Sequence, residues 1–155
     1  MLHKKFVRAY VVLTSALKLL VSMNIHYSTE KRPTAEQIIE LYDDSGLPRP
    51  TQDKERIRTM YENSNLIVTA WDNELLVGVA RSLTDWAWAC YLSDLAVRDS
   101  YKKEGIGRRL ISLTKETVGG QSMLLLLSVP SAMDYYPKVG FEKQNSSFIM
   151  RRDPW

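Results

Sequence analysis

The sequence predicts an α/β fold with one sheet of mixed strand direction. Segments with helical spacing alternate with short runs of β-branched and apolar residues, and turn residues separate them. The chain has 155 residues, 45% of them apolar and 25% charged, which suits one globular domain with a sizeable core. The predicted order of elements is β-α-α-β-β-β-α-β-α-β-β.

Residues 1–22 are predicted to be an accessory extension that precedes a domain over residues 23–155. The extension is basic and apolar, but Arg8 and Lys18 interrupt its apolar run. The run therefore falls short of the roughly 20 apolar residues that a membrane-spanning helix needs. Two alternatives stay open: an amphipathic helix that lies on a membrane or a partner, and an upstream start codon before Met23.

The first part of the domain is predicted to hold a strand over residues 24–27 and two helices. Thr34 and Gln37 have the spacing of a capping box, which satisfies free amides at a helix start, and Gly46 supplies a stop. A second helix is expected from near Thr51. The apolar positions that should face inward are Ala35, Ile38, Ile39 and Tyr42, then Ile57, Met60 and Tyr61.

Three strands are predicted next, over residues 66–71, 75–81 and 86–97, because these runs are rich in β-branched and apolar residues. Residues 72–74 form a short connection typical of a hairpin. The sequence therefore predicts that the first two of these strands are antiparallel neighbours.

The last part of the domain is predicted to alternate between helices and strands. Residues 107–118 have helical spacing, and residues 123–127 form an apolar run typical of a strand that is covered on both faces. A short helix over residues 131–138 and a terminal hairpin that contains Phe141 and residues 148–151 should follow. The inner face of the first helix is expected to hold Leu110, Ile111, Thr114 and Val118.

Charge and cysteine content narrow the function classes. The formal charge of +3, from 21 Lys and Arg against 18 Asp and Glu, is too mild to indicate nucleic acid by itself. Cys90 is the only cysteine, which excludes an intrachain disulfide and favours a reducing compartment, so we expect a cytoplasmic location. The two histidines, His3 and His26, give little material for a metal site or a catalytic triad, and no metal is predicted.

The strongest functional signal is a strand that runs into a basic, glycine-containing turn, which then opens a helix. Leu95, Ala96 and Val97 end the strand, and Gly105 and Gly107 let the backbone of the turn approach an anion closely. Free amides and the helix dipole at such a start form a phosphate site. The basic side chains that flank the turn are Lys102, Lys103, Arg108 and Arg109.

The familiar nucleotide motifs do not fit this turn. A Walker loop would need Gly-Lys-Ser/Thr after a glycine and four residues, which the turn lacks. A dinucleotide fingerprint would need a third glycine, where the chain has Leu110. A helix start with solvated basic residues and no ligand is the remaining alternative.

At residues 102–107 the chain resembles the GNAT superfamily of acetyl-CoA-dependent N-acyltransferases. The pyrophosphate motif of that superfamily is Gln/Arg-x-x-Gly-x-Gly/Ala, and here Lys102 stands in its first position, which keeps the charge but not the fork geometry. Residues 135–141 resemble the aromatic-Tyr-x-Lys-x-Gly-Phe segment of the same family. The resemblance covers the chain from residue 24 onward and implies a mostly antiparallel central sheet with flanking helices.

The resemblance also implies a co-substrate, acetyl-CoA, and a role for each matching residue. The backbone of the strand triplet should pair with the pantetheine arm, and the amides of residues 103–108 should cradle the pyrophosphate. Tyr136 matches the tyrosine that hydrogen-bonds the CoA sulfur and can protonate the leaving thiolate. The implied binding residues are Leu95, Ala96, Val97, Lys102, Lys103, Glu104, Gly105, Ile106, Gly107 and Arg108.

The general base is less well marked in the sequence. Histone-type relatives have a glutamate four residues before the strand triplet, and this chain has Tyr91 there. Asp94, directly before the triplet, is the nearest carboxylate and is predicted as a catalytic residue. Two alternatives stay open: Asp94 as a structural carboxylate, and loss of the proton through water. Cys90 is expected to pack rather than to act as a nucleophile.

The acceptor is expected to be a small-molecule or peptide amine, with no nucleic acid and no firm membrane partner. Trp86 and Trp88 share one strand face, where they could form aromatic walls near Asp43, Asp44 or Asp85. The alternative places both tryptophans in the core or at a dimer interface, and a homodimer is possible.

Three functions are therefore compared. The sequence favours direct acetyl transfer from acetyl-CoA to a primary amine. A non-catalytic CoA-binding module is the alternative, because the family glutamate is missing. A nucleic-acid or membrane-surface binder ranks last, since only the basic extension and the pI near 9.0 suggest it.

Overall fold

The computed structural model describes residues 24–153, so the predicted extension lies outside the described residues and the domain boundary stays a prediction. None of the helices within residues 24–153 is long and apolar enough to cross a membrane. The helices and strands, in chain order, are β1 (Ile25–Ser28), α1 (Ala35–Ser45), α2 (Lys54–Glu62), β2 (Leu66–Asp72), β3 (Leu75–Thr84), β4 (Ala89–Val97), α3 (Ile106–Val118) and β5 (Met123–Leu125).

The five strands form one sheet in the order β1-β2-β3-β4-β5. The pairs from β1 to β4 are antiparallel, while β5 runs parallel to β4. Helix α3 packs on one face of the sheet, and α1 and α2 pack on the other. This arrangement confirms the predicted α/β class with a mixed, mostly antiparallel sheet.

Helix α1 begins and ends where the sequence predicts. The Thr34 hydroxyl accepts a hydrogen bond from the Gln37 N–H, and the Gln37 side chain accepts one from the Thr34 N–H. Gly46 ends the helix in the left-handed conformation, with φ of 74°. These local signals suffice because capping depends only on neighbouring residues.

The core lies in two layers, one on each face of the sheet. The layer under α3 contains Leu110, Ile111 and Val118, and with buried Thr114 these confirm the predicted inner face of that helix. The layer under α1 and α2 contains Ile57 and the fully buried Trp71.

A bulge in β4 changes which of its side chains face each core layer. Leu92 pairs with Ser82, while Asp94 pairs with Arg81, so Ser93 is an extra residue in β4. A one-residue insertion reverses the alternation of side chains beyond it. Leu92 consequently packs under α3, whereas Asp94 turns toward α1 and α2.

Strand β4 leaves its parallel partner at this same point. β5 pairs with β4 only over residues 89–91. From residue 92 to Val97, β4 keeps its antiparallel partner β3 but has no strand on its other edge within residues 24–153. The second half of β4 therefore has a free edge.

The predicted start of the third strand is wrong by three residues. The Asp85 carboxylate accepts hydrogen bonds from the N–H groups of Ala87, Trp88 and Ala89, and Trp86 has a positive φ of 63°. These bonds fold residues 85–88 into a turn, so β4 begins at Ala89.

The predictions for the C-terminal part also need correction. β5 ends at Leu125, and Met123 is 55% exposed, so the run over residues 123–127 is not covered on both faces. Two 3₁₀ turns, Pro130–Ala132 and Tyr136–Val139, replace the predicted helix, because Pro137 lies in the interior of that helix, where its ring and missing N–H break the hydrogen bonding.

The predicted terminal hairpin is absent from residues 141–153, which form no strand. A two-stranded hairpin is marginal by itself, and β5 offers an edge of only three residues for a third strand. Phe148 and Met150, which the hairpin would have covered, are almost fully exposed.

Candidate active site at the start of α3

The turn before α3 presents a run of unpaired backbone donors. The Lys102 N–H donates to the Asp99 carbonyl, and the Arg109 N–H donates to the Gly105 carbonyl at 3.0 Å. Between them, the N–H groups of residues 103–108 have no acceptor in the part of the chain that the structure describes. No side chain caps the helix, so these donors are available to an anion.

Two residues of this turn have left-handed backbone conformations. Gly105, at the N-cap, has φ of 81°, and a β-carbon there would meet no atom within 4 Å. Lys103 has φ of 69°, which is uncommon for a residue other than glycine. Strained residues of this kind occur often at ligand sites, where the surrounding structure holds them in place.

Gly107 brings the two predicted motifs together. A β-carbon at Gly107 would lie 3.0 Å from the Tyr135 hydroxyl and 3.8 Å from Cγ2 of Val97. The first turn of α3 is thus enclosed by the end of β4 on one side and by the aromatic segment on the other. The sequence separates these three positions by up to 38 residues, and the fold places them in one site.

The basic side chains of the turn have different roles. Lys102 donates to the Ser45 carbonyl at the end of α1 and to the Asp99 carboxylate, both at 3.0 Å, so it ties the turn to α1. Arg108 donates to the Lys138 carbonyl at 3.4 Å from an exposed position. Ile106 is buried in the core, and Lys103 is exposed beside the unpaired N–H groups.

Tyr136 lies half-buried in the aromatic segment. Its ring packs edge-on against Tyr135 and Phe141, with ring centroids 5.4 and 5.5 Å away. Burial, and then the neighbouring Tyr135, raise the pKa of Tyr136 above the ordinary value of 10.0. Its phenol therefore keeps its proton at neutral pH and can act as an acid.

Asp94 is enclosed by cationic and phenolic donors. Its side chain is fully buried, Arg81 pairs with one carboxylate oxygen, and Arg49 donates to the other at 2.6 Å. The Tyr42 hydroxyl also donates to it, at 2.8 Å. Burial alone would raise the pKa of Asp94, but Arg81, Arg49 and Tyr42 outweigh burial and lower it.

This environment favours the structural alternative for Asp94 over the role of general base. A base must have a free oxygen within reach of the proton that it takes. Both Asp94 oxygens already accept hydrogen bonds, and the lowered pKa makes the carboxylate a weaker base. The contacts therefore favour Asp94 as a buried counter-ion, and its role as a catalytic residue stays a prediction.

The predicted acceptor residues do not come together. Asp85 lies in the turn before β4, while Asp44 accepts a hydrogen bond from the Asp99 N–H just beyond the end of β4. A strand of nine residues separates these positions by about 30 Å. Trp86 and Trp88 are 46% and 75% exposed, so neither belongs to the core.

Arg49 and Tyr135 are site residues that the sequence did not reveal. Arg49 lies in the loop between α1 and α2, and 45 residues separate it from Asp94. Such a contact depends on the tertiary fold and has no local pattern. Tyr135 could have been noticed, since it begins the aromatic motif, but its position over Gly107 depends on the 3₁₀ turns that replace the predicted helix.

Two cavities lie against β5. One of about 490 Å³ is lined by Ser112, Lys115 and Phe141, and one of about 320 Å³ by Trp88 and Gln121, among others. The first cavity borders the aromatic segment at residues 139–141, and residues 103–108 line neither cavity. Within residues 24–153, no group of three or more His, Cys, Asp or Glu side chains could hold a metal ion.

Comparisons with known structures agree with this fold. A Staphylococcus aureus protein described as a probable acetyltransferase superposes with a TM-score of 0.73 at 21% identity, over 84% of this chain and 99% of that chain. A GNAT family acetyltransferase of Streptococcus pneumoniae superposes with a TM-score of 0.64 at 22% identity, over 83% and 99%. A GNAT family N-acetyltransferase of Escherichia coli, in complex with CoA, gives 0.62 at 20% identity, over 78% and 70%.

Sequence comparison identifies the family directly. Among curated proteins, none matches the sequence significantly. Residues 34–152, most of the chain, match the family model of the acetyltransferase (GNAT) domain. This match confirms the resemblance seen in residues 102–107 and 135–141, and the chain belongs to the GNAT acetyltransferase family.

Proposed function

We propose that this protein transfers the acetyl group of acetyl-CoA to a primary amine. The observation that carries the proposal is the run of unpaired N–H groups over residues 103–108, beside the end of β4. N–H groups at a helix start bind phosphate oxygens well, because the helix dipole adds positive potential there. The family match and the CoA complex of the Escherichia coli neighbour support CoA as the ligand.

The residues of the site suit CoA in shape and charge. The absence of a β-carbon at Gly107 leaves room under the Tyr135 hydroxyl, and Lys103 and Arg108 add positive charge from exposed positions. Along the open edge of β4, the backbone of Leu95, Ala96 and Val97 can pair with the amides of the pantetheine arm, as an added strand would.

The proposed reaction is a direct transfer. The amine nitrogen bonds to the acetyl carbon, the carbon–sulfur bond breaks, the nitrogen loses a proton to water, and the CoA thiolate takes one up. CoA supplies the activated thioester. Tyr136 is the proposed donor of the thiolate proton, since its pKa lies above 10.0 and its phenol is protonated at neutral pH.

A non-catalytic CoA-binding module is the second candidate. The observation that favours it is the lack of a free carboxylate on β4, where Tyr91 stands in place of the family glutamate and Asp94 is paired with two arginines. This candidate predicts that acetyl-CoA binds but that no amine releases the CoA thiol.

The test measures CoA thiol release from acetyl-CoA with a panel of primary amines, in the wild type, Tyr136→Phe and Tyr27→Phe. We expect Tyr136→Phe to lower kcat by about 100-fold, the lower end for loss of a general acid, with little change in the KM for acetyl-CoA. Tyr27 is a matched control, since it is also half-buried in the α3-side layer but lies on β1, at the opposite edge of the sheet.

Two results would contradict the proposal. If calorimetry shows that acetyl-CoA does not bind, the site is not a CoA site. If acetyl-CoA binds and no amine releases CoA, the non-catalytic module is correct. Equal kcat values for Tyr136→Phe and Tyr27→Phe would leave acetyl transfer intact but remove Tyr136 from it.

A further inference from the structure

The buried cluster around Asp94 carries an unbalanced positive charge. Two guanidinium groups, those of Arg49 and Arg81, pair with this one carboxylate, and no other carboxylate within residues 24–153 pairs with either. The nearby Tyr42 and Tyr61 hydroxyls, 2.7 Å apart, contribute no negative charge, because burial raises both pKa values above the ordinary range. One positive charge therefore has no protein counter-charge.

The two arginines differ in how far they are available to a ligand. Arg81 is almost fully buried and donates to Asp94, Ser64 and Ser93 from its three nitrogens. The Arg49 side chain is 21% exposed, and its Nη1 donates only to the Pro48 carbonyl. A guanidinium Nη carries two hydrogens, so one N–H of Arg49 lacks an acceptor among the described residues.

Arg49 also lies at the start of the free edge of β4. Its Nη2 donates to the Ser93 carbonyl at 2.9 Å, and Ser93 is the bulge residue where β4 leaves β5. A CoA arm that runs back along β4 from the turn at residues 103–108 directs its thioester toward this end. An acceptor that reaches the thioester there would therefore approach the exposed part of Arg49.

We infer that the acceptor of this enzyme is an amine that also carries a carboxylate, and that Arg49 binds this carboxylate. The inference rests on the proposed acetyl transfer. Arginine binds carboxylates through charge-assisted hydrogen bonds, which are stronger where water is partly excluded. A carboxylate bound to Arg49 would balance the unpaired charge of the cluster, whereas a polyamine would add to it.

Of the three acidic residues that could have favoured a purely cationic acceptor, Asp43 is exposed on α1, and the other two are engaged elsewhere. Asp85 accepts three backbone N–H groups in its turn, and Asp44 accepts the Asp99 N–H beyond the other end of β4. Neither faces the bulge at Ser93. The charge at the start of the free edge of β4 therefore comes from the arginine cluster.

The test compares acceptors in pairs that differ by one carboxylate. Suitable pairs are alanine and ethylamine, lysine and 1,5-diaminopentane, and glycylglycine and its C-terminal amide. CoA thiol release gives kcat/KM for each. We expect the carboxylate member to be favoured by roughly 10- to 100-fold in at least one pair, the effect of one charged hydrogen bond.

Variants then locate the preference. Arg49→Gln should reduce the preference to below threefold, mainly by raising the KM for the carboxylate member, and Arg49→Lys should restore part of it. Arg58→Gln is the matched control, because Arg58 lies on the exposed face of α2 and, among residues 24–153, pairs only with Glu55 and Glu62. It should keep the full preference.

The outcomes separate this inference from the proposed function. Release of CoA with no preference for carboxylates in any pair overturns the inference and leaves acetyl transfer in place. If none of the amines releases CoA, both the inference and the proposed function are overturned. The comparison of acceptors on the wild type needs no variant, so a folding defect of Arg49→Gln would not rescue the inference. If Arg49→Gln folds correctly and keeps the preference for carboxylates, the inference is also overturned.

Discussion

Among single residues, Asp94 has the most demanding environment in the described chain. Its carboxylate is fully buried and is the only counter-charge of Arg49 and Arg81 within residues 24–153. We expect Asp94→Asn to lower the free energy of unfolding at pH 7 by about 3–5 kcal/mol, because loss of one partner leaves buried charge uncompensated. Urea unfolding of the two proteins measures the difference.

The same variant gives a test by pH. The pKa of Asp94 lies below its ordinary 3.8 in the folded protein. Its contribution to the free energy of unfolding is therefore complete above about pH 3.8 and is lost as the pH falls through the lowered pKa. The difference in free energy of unfolding between wild type and Asp94→Asn should therefore decrease below about pH 4. Asp43→Asn, on the exposed side of α1, should change stability by less than about 0.5 kcal/mol. If the difference between wild type and Asp94→Asn in free energy of unfolding stays constant at acidic pH, the role of Asp94 as a counter-ion is contradicted.

The sequence could predict single residues only where a local rule applies. Gly105 and Gly107 were found because a phosphate turn needs glycine, and the structure places both at the start of α3. The left-handed conformation of Lys103 had no signal, since lysine rarely adopts it. The Arg49–Asp94 contact had none either, because it joins a loop to a strand 45 residues away.

Among the elements, α3 and β3 depend on one another through a glycine. A β-carbon at Gly78 would lie 3.1 Å from Ile106 and Leu110 side-chain atoms and 3.3 Å from the Ala96 carbonyl. We expect Gly78→Ala to lower the free energy of unfolding by about 1–3 kcal/mol, because the side chains of α3 or the backbone of β4 must shift in a packed core.

Chemical denaturation measures this effect, with Gly120→Ala as control. A β-carbon at Gly120 would meet nothing within 4 Å, and its φ is not in the left-handed region, so little change is expected. Equal stability of the two variants would show that α3 does not rest on Gly78. If α3 does move, Gly78→Ala should also weaken acetyl-CoA binding, since the unpaired donors belong to its first turn.

Elements were predicted well where their signals are short-range. The capping box of α1 and the hairpin between β2 and β3 were confirmed, because each depends on residues within one turn. The start of β4 was missed, since the side chain of Asp85 competes with the strand for backbone N–H groups. The bulge at Ser93 was also missed, as only the pairing with β3 reveals it.

In the whole molecule, the fold brings two distant motifs to one site. Residues 102–107 and Tyr135 meet at Gly107 because α3 and the aromatic segment both pack on the sheet beside β4. The sequence predicted both motifs but not their contact. The prediction of a terminal hairpin was wrong, because the three residues of β5 give too short an edge for further strands to pair with. The homodimer stays a prediction.

The most direct test of the central claim is amide hydrogen exchange with and without CoA. The N–H groups of residues 103–108 lack protein acceptors in the described chain, so they should exchange quickly in the free protein. On addition of CoA, we expect strong slowing at residues 103–108 and at the free edge of β4 up to Val97, and little change in β1. Binding of CoA that leaves exchange at residues 103–108 unchanged would contradict the claim that these backbone donors hold its diphosphate.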